Sequence, residues 1–183
     1  MLDLRKYSSL GEALRAALEC WPNEICLIEV DRDKEKARLT YQQFKEAALP
    51  LARAFQDAGF KADTRTAILM TNQSKWLVSA YAIFYAGGII VPLDYKLTPT
   101  EQLKLLSHSK AEFLIIEHHL WRALQRSEDF CMLAARVVLV TEAPPGTELA
   151  RANRWEEFRA TGEPEFVPRV RSDAACIDRK SVV

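Results

Sequence analysis

Glycine is scarce in this chain. Six glycines occur in 183 residues, at Gly11, Gly59, Gly87, Gly88, Gly146 and Gly162. Their spacing writes neither a GxGxxG fingerprint nor a P-loop, and none follows Gly162. An excess of one charge is lacking as well: 25 basic residues balance 25 acidic ones, with the signs interspersed. Without a basic stripe to neutralise phosphates, no nucleic-acid partner is expected. No apolar run approaches the roughly 20 residues needed to cross a bilayer, so no membrane span is expected. The opening MLDLRKYSSL has no signal-peptide core, which makes the cytoplasm the expected compartment. Cysteine is sparse: Cys20, Cys26, Cys131 and Cys176 contain no CxxC pair. Cys20 and Cys26 flank a Trp-Pro-Asn turn, near enough in sequence to approach each other. The expectation for all four is reduced, part-buried thiols. His108, His118 and His119 fall near helix ends with no cysteine or carboxylate at ligand spacing, so no metal site is read.

What is present is an ordinary folding composition. Apolar residues make up 49% and charged residues 27%, which argues against disorder over most of the length. A chain this long buries roughly 70% of its unfolded surface and suits one domain, or one and a half.

Local signals place the elements. Ser9 and Glu12 have the spacing of a capping box before a helix that ends at Trp21–Pro22. Ile25 to Val30 favours a strand, Asp31 to Lys36 reads as a charged turn, and Ala37 to Thr40 returns, so a β-hairpin is expected. Thr40 and Gln43 form a second capping box. Phe44, Ala48, Leu51, Phe55 and Ala58 then recur at helical spacing, with Gly59 as the C′ residue and Pro50 inside, where it removes a hydrogen bond and should bend the helix. Strands are expected at 66–71, 89–93, 112–117, 136–141 and 174–177. Between them a Ser74-capped helix runs over 75–86, a second opens on Thr98-Pro99-x-Glu101, and a third covers 119–126. A short helix is also read over 155–159. Continuous apolar strands alternating with helices predict an α/β fold, a mainly parallel sheet with helices on both faces plus the N-terminal hairpin. The expected carboxyl ends of the strands lie near Thr71, Asp94, Glu117 and Thr141, and no catalytic, cofactor-binding or metal-binding set is read among them.

Four runs carry a family resemblance: Leu39-Thr-Tyr-Gln-Gln-Phe44, Arg65-Thr-Ala-Ile-Leu-Met70, Ala86-Gly-Gly-Ile-Ile-Val-Pro-Leu-Asp94 with Leu97-Thr-Pro-Thr-Glu101 behind it, and Asp173-Ala-Ala-Cys-Ile177. In order and spacing, from about residue 10 to 177, the chain resembles the N-terminal segment of the adenylate-forming, AMP-binding superfamily, and within it the acyl-CoA synthetases. The resemblance implies a two-step parent reaction. A carboxylate attacks the α-phosphate of ATP to give an acyl-AMP and pyrophosphate, and a thiol such as coenzyme A then displaces AMP. ATP, magnesium and CoA are therefore implied for the full-length family.

The departure lies at the end of the resemblance. After a strand like Asp173 to Ile177 the family continues into a Ser/Thr/Gly-rich loop ending in Pro-Lys-Gly, which holds the ATP phosphates. Here the next residues are Asp178-Arg-Lys-Ser-Val-Val183. Residues 1–177 are thus read as a partial N-terminal domain and 178–183 as a polar tail, in which Ser181 is a solvated hydroxyl. No catalytic residue carries over from the family. The expected function is an N-terminal fragment of an acyl-CoA synthetase, inactive alone and binding no cofactor. It is expected to self-associate through its truncated face, or to pair with a complementing C-terminal chain. The alternative is a self-contained α/β binding or interaction module.

Overall fold

The computed structural model describes residues 3–178; the expectation for the tail beyond Asp178, Ser181 included, lies outside them. The chain forms two compact units. One comprises residues up to Ala62, Asn72–Gly88 and Arg159–Asp173; the other comprises Asp63–Thr71, Ile89–Phe158 and residues from Ala174.

The first unit holds helix α1 (Leu10–Cys20), the antiparallel hairpin β1 (Ile25–Asp31) and β2 (Lys34–Thr40), helix α2 (Tyr41–Asp57) and helix α3 (Ser74–Tyr85). The capping signals act as the sequence suggests. Thr40 and Gln43 close a full capping box on α2. Ser9 Oγ accepts the Glu12 N–H, while the Glu12 carboxylate reaches the Ser8 N–H rather than that of Ser9. The hairpin is longer than expected, because charged Lys34 to Lys36 continue β2 on the exposed surface instead of forming a turn. Arg32, at φ 55°, makes the reversal. The helix α2 runs through Pro50 as one element, and the Pro50 carbonyl accepts the Ala160 N–H at 3.1 Å. Leu51 and Phe55, both at zero exposure, form its inner face.

Residues 159–173 contain no regular element, yet they are tied along the helices of this unit. Gln56 exchanges two hydrogen bonds with the Glu165 backbone, at 2.6 and 3.0 Å. The Val167 N–H donates to the Tyr85 carbonyl at 3.0 Å. The Phe166 ring meets Tyr85 edge-on at 5.2 Å, with the Arg15 guanidinium 4.6 Å from its centroid. Arg171 donates to the carbonyls of Tyr7 and Arg5.

The second unit is a five-stranded parallel sheet: β3 (Arg65–Leu69), β4 (Ile89–Pro92), β5 (Phe113–Glu117), β6 (Val137–Thr141) and β7 (Asn153–Arg154), in the order β4-β3-β5-β6-β7. Two helices belong to it, α4 (Pro99–Ser109) and α5 (His118–Gln125). The Thr98–Glu101 capping box and Pro99 at the first turn open α4 as expected. Leu103, Leu106, Leu120, Trp121 and Leu124 pack with Ala67, Leu69, Val91, Leu114, Ile116, Val138 and Val140 in one core. Burying each large apolar side chain there stabilises by about 1.5–3 kcal/mol. The alternate strand residues Ile68, Ile115 and Leu139 are equally buried, which is why these strands read as continuous apolar runs.

Three sequence expectations are corrected. Residues 174–177 form a single parallel bridge, Ile90 to Cys176, rather than a strand. The Ala-Ala-Cys run has little apolar bulk to bury. Trp155 to Glu157 is a turn rather than a helix, with β7 just before it. There Trp155 is buried and its N–H donates to Val140 at 2.9 Å, so sheet pairing overrides local helix propensity. Ser74 is the first residue of α3 and not its cap; Gln73 holds the cap position without a capping side chain. The helix start is instead met from the hairpin, by the Glu29 carboxylate accepting the Ser74 N–H at 2.7 Å.

Two outcomes are expected. Partial burial works to raise the Glu29 carboxyl, but hydrogen bonding from Ser74 and the charges of Lys36 and Lys75 outweigh it and hold the group below its ordinary value of 4.5. A depressed carboxyl contributes stability that is complete above the ordinary value and disappears as pH falls below it. The melting-temperature gap between wild type and Glu29→Gln is therefore expected at pH 7 and should close towards pH 3; a gap independent of pH would contradict this. Gly87 has φ +76°, and a Cβ there would stand 2.5 Å from Val167 Cγ1. Gly87→Ala should cost about 2–4 kcal/mol by chemical denaturation, from left-handed strain plus overpacking. Val167→Ala in the same chain should recover part of it.

Candidate functional site

In an open parallel sheet, ligands collect outside the carboxyl ends of the strands, where the strand order reverses. The chain moves from β3 to β4 on one side and then places β5 on the other side of β3. The reversal therefore falls between β3 and β5. At that point three residues converge. The Glu117 Oε2 accepts both the Thr71 N–H at 3.1 Å and the Thr71 hydroxyl at 2.8 Å. The other oxygen, Oε1, stands 3.2 Å from His119 Nδ1. The Glu117 side chain is largely buried while that of His119 is 60% exposed, so the carboxylate is fixed and the imidazole faces solvent.

Local structure explains the arrangement. Leu69 pairs with Ile116 in the ladder, which brings the residues just beyond β3 level with Glu117. Glu117 ends β5 and is also the N-cap position of α5, so the first turn of the helix carries His119 back over the strand end. Thr141 is the register partner of Glu117 on β6. It is fully buried, and its hydroxyl has no partner among the described residues. Asp94, after β4, is spent on its own loop, accepting the Lys96 N–H at 2.9 Å. That loop is held from below by the buried Gln102 amide, which donates to the carbonyls of Tyr95 and Leu97.

The structure thus unites Thr71 and Glu117, which the sequence left as separate strand ends, with His119, which it placed at a helix end. Thr71 and Glu117 lie 46 positions apart, and no local spacing announces their meeting. Chemically the set is a carboxylate that locks two strand ends and orients one imidazole. It contains no nucleophile facing a base. Among the described residues, no group of three or more His, Cys, Asp or Glu is placed to hold a metal ion. The cysteines are all free. Cys26 is half-buried, whereas Cys20, Cys131 and Cys176 are exposed, contrary to the part-buried expectation. Burial pushes the Cys26 thiol up, and burial together with Asp178 does the same to Cys176, so both disfavour the reactive thiolate.

A separate groove of about 600 Å³ lies in the first unit, lined by Leu27, Val30, Trp76 and Leu77 with Glu29 and Gln73 among its polar residues. Ile28, Val30 and Leu77 are exposed there. No helix among the described residues is long and apolar enough to cross a membrane.

Comparison with known proteins matches residues 14–178 to the model of the AMP-binding enzyme family. The chain is 33% identical over 165 residues to 3-[(3aS,4S,7aS)-7a-methyl-1,5-dioxo-octahydro-1H-inden-4-yl]propanoyl:CoA ligase of Mycobacterium tuberculosis, an alignment covering 87% of this chain and 29% of that protein. It is 26% identical over 117 residues to 4-hydroxybutyrate–CoA ligase 2 of Metallosphaera sedula, covering 63% of this chain and 21% of the relative. In fold it is similar to coronafacic acid ligase from Pectobacterium brasiliense, with a TM-score of 0.78 at 18% identity, over 92% of this chain and 33% of the other. The chain therefore spans about a third or less of these relatives, and across that span it belongs to the AMP-binding enzyme family.

Proposed function

We propose that the chain is the N-terminal portion of an ATP-dependent, AMP-forming acid–thiol ligase of the acyl-CoA synthetase kind, a cytoplasmic protein without activity by itself. One observation carries the reading. Cys176 bridges Ile90 in parallel at the outer edge of β4, which supports reading residues 174–177 as the strand after which the resemblance sets the family's phosphate-gripping loop. The chain supplies Asp178-Arg-Lys-Ser-Val-Val183 there, with no glycine to bring backbone amides close to a phosphate.

The described residues do not fit the groups that the family chemistry uses. Magnesium needs oxygen ligands, commonly one or two carboxylates with the substrate phosphates. Glu117 is already engaged by Thr71 and His119, and Asp94 by its own loop. No catalytic step is assigned to them. What this part contributes is a rigid parallel sheet and its carboxyl edge, the scaffold against which an acyl-adenylate site is assembled. The Mycobacterium tuberculosis and Metallosphaera sedula relatives bear the names of CoA ligases for unlike acids, and the acid handled here is left open by the residues present.

The chain alone should show no ATP–pyrophosphate exchange with any carboxylic acid and no heat of ATP–magnesium binding in calorimetry. A dissociation constant in the low micromolar range, about −8 kcal/mol, would overturn the reading. Fusing the chain in place of the matching segment of the Mycobacterium tuberculosis relative should give exchange with that relative's own acid. A soluble, folded fusion without exchange would count against family function.

A further inference from the structure

We propose that the corner joining residues 4–10 to residues 166–171 is a peripheral docking face for an anionic lipid surface. Leu4, Val170 and Leu10 are exposed there at 68%, 56% and 49%. Exposed aliphatic side chains scattered singly are ordinary, but these are gathered from opposite ends of the chain. The Arg171 guanidinium donates to the carbonyls of Tyr7 and Arg5, 164 and 166 positions away. This hook brings Val170 alongside the single 3-10 turn Leu4–Lys6. Ser8, Ser9 and Glu12 share a recess of about 290 Å³ with Phe166, Pro168 and Val170, so the corner is one continuous surface. All of these residues belong to the first unit. The face does not depend on the ligase reading above.

Charge selects the occupant. The chain as a whole has no net charge, yet the acids of this corner are engaged. Asp3 is bound to Arg5 at 2.9 Å and Asp173 to Arg169 at 3.1 Å, and the Glu12 carboxylate accepts the Ser8 N–H at 2.7 Å. Lys6 and Arg171 are exposed, and neither has a carboxylate within ion-pair distance among the described residues. Arg171 spends only part of its donor fork on the two carbonyls, so its remaining N–H groups suit phosphate oxygens. Aliphatic side chains beside unpaired cations match the boundary of an anionic bilayer, whose acyl edge takes the former and whose headgroups take the latter. Leu4 and Leu10 lie outside the recess, free to enter a lipid boundary, whereas a peptide groove would hold its apolar side chains inside. A second copy of this chain is the poorer occupant. A two-fold contact sets the same patch against itself, and that would bring Lys6 and Arg171 of both copies together.

The test is flotation of the whole chain with vesicles of about 7:3 phosphatidylcholine to phosphatidylserine, set against vesicles of phosphatidylcholine alone. The chain should float with the anionic vesicles at low salt, come off as salt screens the headgroups, and stay behind with the neutral ones. Leu4→Ser combined with Val170→Ser removes two of the aliphatic side chains and should weaken partitioning about tenfold. Lys6→Gln should weaken it less and flatten its salt dependence. Substitutions at such exposed positions disturb folding little; if the double variant nonetheless fails to fold by circular dichroism, Lys6→Gln decides. Leu77→Ser, in the groove beside the hairpin, should float as wild type does. No flotation with anionic vesicles, equal flotation with neutral ones, or unchanged flotation of the folded double variant would each overturn the proposal. An equal loss in Leu77→Ser would do the same, because the lipid would then be meeting another face. A dimer seen by light scattering without lipid, and abolished by the double variant, gives the corner to a second copy and also overturns it.

Discussion

Strand β3 is hydrogen-bonded on both sides, to β4 and to β5, and both neighbours run parallel to it. Much else follows from that constraint. Parallel neighbours cannot be joined by tight turns and need long crossovers. Here α3 is the element between β3 and β4, and α4 the element between β4 and β5. A central parallel strand must also be apolar on both faces, and Ala67, Ile68 and Leu69 are all buried. The reversal of strand order beside β3 then creates the point at which Thr71, Glu117 and His119 meet.

Burial at this centre makes the polar contacts around it selective. Glu117 places one carboxylate oxygen on a backbone N–H and a hydroxyl from the far end of β3. A carboxylate shielded from water requires such compensation. Arg154 shows the same logic at the far edge of the sheet. Its guanidinium donates to the carbonyls of Ala143, Pro144 and Thr147, so one side chain holds a proline-containing turn that has no regular element of its own. In the first unit, residues 159–173 are ordered by backbone exchange with Gln56 and by the Phe166 ring. Side chains thus order stretches where backbone ladders are lacking.

Beside β4 the sheet is extended by a single bridge, Ile90 to Cys176. The Ile177 N–H donates to the Ile90 carbonyl there, and the family match extends to residue 178. The scaffold buries a continuous apolar core, and among its described residues no group of three or more His, Cys, Asp or Glu is placed to hold a metal ion. The family is readable in the chain, which spans about a third or less of the relatives it matches.

By itself the sequence determined the elements governed by short-range physics. The Thr40–Gln43 and Thr98–Glu101 boxes, the helical period from Phe44 to Phe55, the glycine end of α3 and the apolar runs of β3 to β6 are all local, because caps form within three residues and burial leaves its period in the chain. Tertiary structure alone decided the rest. Glu29 meets α3 from 45 residues away, Glu117 gathers Thr71 from 46 away, and Trp155 turns into sheet pairing where local propensity suggests helix. Charged Lys34 to Lys36 extend a strand because their pairing partner, β1, is already in place. For Glu29, Glu117 and Trp155 the deciding partner lies 45, 46 and 15 residues away, and only folding brings its hydrogen-bonding group within reach; for β2 it lies across the turn.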